Sequence, residues 1–138
     1  LMSLGIPLNT DSTLKGQTVF LAERCGELMH DNIITDRTIL DVMAFTLNAK
    51  SIPYQDKEAF EAYASEFVRD YDFIFYISPY GIDIEDNGVR ETDEHYRDLI
   101  DFTITTLIKR HGHKAGKVEK ISGSTEERIQ QILNITGL

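Results

Sequence analysis

Asp36 and Arg37 stand side by side in the stretch Asp-Asn-Ile-Ile-Thr-Asp-Arg-Thr-Ile-Leu-Asp, residues 31–41. A carboxylate can hold Mg²⁺ or accept a proton, and a guanidinium can grip a phosphate; phosphoryl transfer needs both. The pair also has a plainer reading, because an aspartate after a strand is a routine helix N-cap and two-residue motifs recur by chance. Asp41, one turn beyond Arg37, is placed for i,i+4 pairing with it. Arg90 and Arg97 flank the start of a long helical pattern, one in an acidic segment and one on the first turns. Guanidiniums there could swing onto a polyphosphate as a lid closes, or simply pair with the surrounding Asp and Glu. Gly123-Ser124-Thr125 is a turn that can lie against a heterocyclic base or merely cap the helix it opens.

The elements that would position these residues follow from apolar spacing. A loop-like start with Pro7, Asn9, Thr10, Asp11 and Ser12 leads into helical spacing over 14–29 (Leu14, Thr18, Leu21, Cys25, Leu28). Ile33 and Ile34 read as a short strand over 31–36, which would set Asp36 and Arg37 at its carboxyl end, the edge where open α/β sheets bind ligands. Helices are expected over 37–49 and 56–70. Between them Ser51-Ile52-Pro53 breaks the pattern. Phe73–Ser78 is near-continuously apolar, as suits a parallel strand covered on both faces. Residues 80–93 turn polar and acidic, a loop candidate between firm elements. Thr92 can cap the long helix that follows, whose Tyr96, Leu99, Ile100, Ile104, Leu107 and Ile108 share one stripe. A weaker strand is expected over 118–123. Ser124 and Glu127 then form a capping box before a helix carrying Ile129, Ile132 and Leu133. Strands alternating with helices argue for an α/β domain with a parallel sheet.

Composition narrows the function classes. The 138 residues carry 41% apolar side chains, enough for one domain with a core, and a formal charge of −9. Such acidity argues against a nucleic-acid surface, whereas a few placed arginines still suffice for a small anionic ligand. No apolar run approaches the roughly 20 residues of a membrane span, and no secretory leader pattern opens the chain. The single cysteine, Cys25, is expected as a buried thiol in a reducing, cytoplasmic setting. His30, His95, His111 and His113 form no zinc pattern. Gly112-His-Lys-Ala-Gly116-Lys117-Val118 falls short of a phosphate loop: it has one spacer too few, Val where Ser or Thr should hold magnesium, and a helix before it. No Ser-His-Asp or Cys-His arrangement has supporting context.

Taken in order, Ile33–Asp41, Tyr71–Pro79, Asp86–Arg97 and Ile121–Arg128 resemble the latter three-quarters of a P-loop nucleoside or nucleotide kinase. The nearest resemblance is to the AAA-type ATPase/kinase family related to ribosylnicotinamide kinases, and more distantly to thymidylate kinases. The resemblance implies a parallel, three-layer P-loop kinase-like sheet spanning 1–138 as a single domain, with a lid at about 80–97. It implies ATP- and Mg²⁺-dependent phosphoryl transfer to a small nucleoside or nucleotide. In that scheme Asp36 is the metal-linked or catalytic carboxylate and Arg37 a substrate-binding arginine. Arg90 and Arg97 face the ATP phosphates, Gly123, Ser124 and Thr125 lie beside the adenine, and Gln17 borders the acceptor pocket.

The departure lies at the N-terminus. The resemblance places a strand, a glycine-rich phosphate loop, its helix and a second strand before everything in this sequence, and sets the first of those strands between the Ile33 and Phe73 strands. The sheet is therefore expected to be incomplete. Its missing strands would come from residues upstream, the favoured source, or from another chain of a homo-oligomer or partner; otherwise the sheet is rearranged. The rival reading is a non-catalytic kinase-like module that senses nucleotide or serves as a protein-interaction scaffold. A plain nucleotide hydrolase is a weaker third.

Overall fold

The computed structural model describes residues 11–80 and 94–138. In chain order it has α1 (Leu14–Glu27), α2 (Ile39–Leu47), α3 (Tyr54–Ala64), β1 (Phe73–Ile77), α4 (Glu94–His111), β2 (Lys117–Ile121) and α5 (Thr125–Thr136). A 3-10 helix, Ser65–Asp70, continues α3, and another, Gly112–Lys114, continues α4. This is a mixed helix and strand protein whose sheet, among the described residues, has two parallel strands, with Phe73 opposite Lys117 and Ile77 opposite Ile121. A parallel pair needs a long crossover, and α4 lies within it.

Local chemistry explains most boundaries. Thr13 opens α1 by accepting the Gly16 N–H, at 3.1 Å. Thr38 caps α2 in a reciprocal box with Asp41. Pro53, with φ fixed near its helical value, directly precedes α3. Ser124 and Glu127 form the capping box expected from the sequence, and Gly137, left-handed at φ 77°, ends α5.

The most apolar helix, α2, is the hub. It packs against α1, α3 and α4, and Ile39, Met43 and Ala44 are fully buried with Ala64, Val68 and Leu107. Gly116 fixes how the strands enter. Its N–H donates to Tyr71 O at 3.0 Å and the Lys117 N–H to Asp72 O at 2.9 Å. A Cβ on Gly116 would stand 2.4 Å from the Asp72 carbonyl oxygen, so only glycine allows that approach. The stretch that falls short of a phosphate loop is thus a 3-10 turn and a strand entry.

Several expectations need correction. Residues 31–36 do not form a strand: Asn32 and Arg37 take left-handed φ values of 56° and 74°, and Ile34 is 94% exposed. A strand is held by a neighbour's backbone groups, and no strand lies beside this segment among the described residues. For the same reason β1 is covered on one face only. Ile74 is buried, whereas Phe73 and Ile77 are exposed and the Phe73 and Phe75 rings stack at 6.1 Å. In α5 the apolar stripe also gains little cover, since Ile129 and Leu133 remain exposed and no residue of the helix is buried. On α4, Tyr96, Ile100 and Leu107 are buried as expected, but Leu99 turns outward. Cys25 is half-buried rather than buried, and burial together with the Asp70 charge pushes its thiol pKa up. No helix among the described residues is long and apolar enough to cross a membrane.

Candidate functional site

Asp36 and Arg37 sit on the connection from α1 to α2, in a turn held by side chains. The Asp36 carbonyl accepts from Arg24 Nη1 at 3.0 Å, and Thr35 Oγ1 donates to Arg37 O at 3.0 Å. The residue that caps α2 is Thr38, not Asp36: its Oγ1 accepts the Leu40 N–H at 3.1 Å while its own N–H donates to Asp41 Oδ2 at 2.7 Å. Next, Ile39 N–H donates to Tyr71 Oη at 3.1 Å. The plainer reading of Asp36 as a cap therefore falls away, and its exposed carboxylate is engaged by no hydrogen bond or ion pair among the described residues. Asp41 serves the cap rather than Arg37. Burial raises its pKa against the opposing hydrogen bond from Thr38 and the Arg37 charge.

Arg37 makes no ion pair with Asp41, and its guanidinium lies over the Phe45 ring at 5.8 Å. That ring contacts Tyr96 at a centroid distance of 6.3 Å, which links the Asp36-Arg37 turn to the first turn of α4. Arg97 leans the other way, over the ring of Tyr80 at 5.8 Å. Its Nε is buried with no hydrogen-bond partner among the described residues. Tyr80 Oη donates to Asp98 at 3.0 Å and Tyr76 Oη to Asp101, so two tyrosines at the end of β1 are tied to α4. Burial, then Asp101, pushes the Tyr76 pKa up to about 12, so its hydroxyl stays protonated.

Two hollows lie near these groups. One, about 440 Å³, is lined by Arg24, Glu27, His30, Ile33, Ile34, Thr35 and Asp36. The other, about 270 Å³, lies at the carboxyl ends of β1 and β2, lined by Ile77, Ser78, Tyr80, Ile121, Ser122, Gly123 and Arg128. Gly123 holds φ 99°, and a Cβ there would meet Glu127 Oε2 at 2.9 Å, so the turn requires glycine. Ser124 and Thr125 border the hollow only through the chain. The Ser124 hydroxyl accepts the Glu127 N–H and Thr125 Oγ1 accepts from Arg128 Nη2, at 3.1 Å each. Gln131 braces Ser122, accepting its N–H at 3.1 Å and donating to its carbonyl at 2.7 Å. Family models, curated proteins and solved structures give no match to this chain.

The structure brings some of the candidate residues together and separates others. Gly123 lines the strand-end hollow, and Arg97 reaches its edge through Tyr80. Asp36 lines the other hollow, which shares no lining residue with the first. Gln17 lines neither: it is buried on α1, its amide donating to Thr46 Oγ1 at 3.0 Å and to Val42 O at 3.4 Å, a tie between α1 and α2. Arg90 lies outside the described residues, as does most of the expected lid. Sequence reasoning passed over Arg24, Tyr80, Ser122 and Arg128. Arg128 carried a usable signal, one helical turn beyond Ser124 and so on the face above the strand ends.

Among the described residues no group of three His, Cys, Asp or Glu side chains could hold a metal ion. A magnesium ion bridging a polyphosphate needs only one or two carboxylates, and Asp36 offers one exposed group. The strand-end hollow is smaller than the roughly 300–1,000 Å³ of whole-ligand sites and suits a ring rather than a triphosphate. Its apolar floor of Ile77 and Ile121 and the Arg128 guanidinium fit a heterocycle with an anionic tail, and Arg97, whose Nε has no hydrogen-bond partner among the described residues, lies over the Tyr80 ring at its edge.

Proposed function

We propose that this chain is the greater part of a P-loop kinase-like domain, a parallel three-layer α/β fold, that transfers phosphate from ATP to a small nucleoside or nucleotide with Mg²⁺. One observation carries the reading: the hollow at the carboxyl ends of two parallel strands, which joins Gly123 and Arg128 to Tyr80 and the Arg97 stacked on it. In parallel sheets that edge is where ligands bind. The base would rest on Ile77 and Ile121 beside the Gly123 turn. Arg97, with Arg90 from the segment before it, would face the phosphates. ATP-Mg²⁺, when bound, supplies the phosphoryl group and neutralises part of its charge. Asp36, whose carboxylate no cap occupies, would hold the metal or take the acceptor proton, and Arg37 would orient the acceptor.

A second reading is favoured by one feature: the stretch Gly112–Lys117, nearest in pattern to a phosphate loop among the described residues, serves to bring β2 against Asp72. A domain that keeps the base site and lacks the phosphate cradle is a nucleotide sensor or interaction module. Calorimetry of the full-length gene product with ATP-Mg²⁺, paired with transfer from γ-labelled ATP to a nucleoside panel, separates the two. Binding with transfer supports the kinase, binding without transfer the sensor, and no binding at millimolar ATP removes both nucleotide readings.

A further inference from the structure

Resting on the nucleotide reading of the strand-end hollow, we infer that Gln131 of α5 is a positioning residue for the bound base: its amide holds the Ser122-Gly123 wall and, with it, the place of Arg128. Ser122 is the first residue past β2 and lines the hollow together with Gly123 and Arg128. Its N–H donates to Gln131 Oε1 at 3.1 Å, and its carbonyl accepts from Gln131 Nε2 at 2.7 Å. One side-chain amide thus takes both backbone groups of Ser122, as a neighbouring strand would.

The helix that carries Gln131 has little else to hold it over the strand ends. No residue of α5 is buried, and Ile129 and Leu133 stay exposed. Among the described residues, its other side-chain hydrogen bonds remain within the helix and its cap: Glu127 accepts the Ser124 N–H, and Arg128 donates to the Ser124 carbonyl and to Thr125. Gln131 reaches past the cap to the chain leaving β2. That fork sets where α5 sits, and Arg128, one turn before Gln131 on the same face, is carried with it into the lining. Ser122 is exposed, so water can satisfy its backbone groups; the fork contributes more to the shape of the turn than to folding. Groups that touch a ligand keep their geometry only where such supporting bonds fix them.

The test uses the full-length gene product, with ATP-Mg²⁺ binding read by calorimetry and the fold checked by far-ultraviolet circular dichroism. Gln131→Ala should lower ATP affinity about tenfold, the scale of one or two net hydrogen bonds, with the circular dichroism unchanged. Gln131→Glu separates positioning from a merely structural tie. An ionised carboxylate only accepts, so it keeps the Ser122 N–H but sets an oxygen against the Ser122 carbonyl, whereas a protonated one donates to that carbonyl and rebuilds the fork. The carbonyl favours the protonated form, so the introduced carboxyl titrates above its ordinary value of about 4.3. Relative to the parent, the affinity of Gln131→Glu should be about tenfold down at pH 8 and recover at least about threefold by pH 5. Lys120 ahead of Ser122, and Glu126, Glu127 and Arg128 on α5, are common to parent and variant, as are the ATP phosphates, so their titration cancels in that ratio. The pH series stands without the alanine variant. Parent-like affinity in Gln131→Ala, or a Gln131→Glu deficit that does not change with pH, overturns the inference and leaves the nucleotide reading standing. No binding of ATP by the parent at millimolar ligand removes that reading and the inference with it.

Discussion

Replacing Tyr71 with Phe should destabilise the protein through one atom. Tyr71 Oη accepts the N–H of Ile39 at 3.1 Å, in the first turn of α2, and Ile39 is fully buried. A first-turn amide has no helical acceptor of its own, so removing the hydroxyl leaves a buried donor unsatisfied. Such a loss costs about 1–3 kcal/mol, and Tyr71→Phe removes little packing. Taking about 2 kcal/mol, the midpoint of thermal unfolding should fall by roughly 5–10 °C. The pH dependence gives a second readout. Burial, partly offset by the Ile39 hydrogen bond, pushes the Tyr71 pKa from 10.0 up to about 12, so the folded protein keeps this proton longer than the unfolded chain. Its contribution is whole below pH 10 and is lost as pH rises to about 12, a decline that Tyr71→Phe should flatten. Urea denaturation at neutral pH and between pH 10 and 12 measures both. If Tyr71→Phe unfolds at the same temperature and with the same alkaline limb as the parent, the hydroxyl does not hold α2, and the account of how the Asp36-Arg37 turn is anchored fails.

Gly116→Ala should cost about 3 kcal/mol, because the new methyl would meet the Asp72 carbonyl oxygen at 2.4 Å and push β2 off its entry bonds; urea midpoints check this. Glu61 joins α3 to the end of α4, with Arg110 Nη1 at 2.7 Å and His111 Nε2 at 2.8 Å. Burial raises its pKa, but hydrogen bonds from Arg110 and His111 outweigh that and hold it below the ordinary 4.5. The folded state therefore gains from ionised Glu61 above that pH and loses the gain in more acid solution, and Glu61→Gln should flatten the acid limb of a stability profile. Arg97→Ala and Arg128→Ala should each weaken ATP-Mg²⁺ binding at least about tenfold, the scale of one lost charge-assisted hydrogen bond, with the far-ultraviolet circular dichroism unchanged. Undiminished affinity in both would place the nucleotide elsewhere.

The helices were legible because their signals are local. The Ser124 and Glu127 box, the break at Ser51-Ile52-Pro53 and the buried stripe of α2 can be read from a few neighbouring residues, and the structure has all three. The strand at 73–77 was equally plain, since five apolar residues in a row suit few other places. The site was half legible: Gly123 was found from its position between strand and helix, but Tyr80 and Arg128 join it only because β1 and β2 run parallel and end together.

What the sequence determined by itself is the set of elements and the turn chemistry between them, because capping, proline geometry and apolar period act within one or two turns of chain. The tertiary structure alone decided the fate of Ile33 and Ile34, whose strand spacing has no neighbouring backbone to pair with, and of Gln17, a polar side chain drawn into the α1–α2 contact by Thr46. It also decided that Thr38, not Asp36, caps α2. That choice leaves a carboxylate exposed at a hollow, since a cap is awarded by backbone geometry at the helix start and not by residue type.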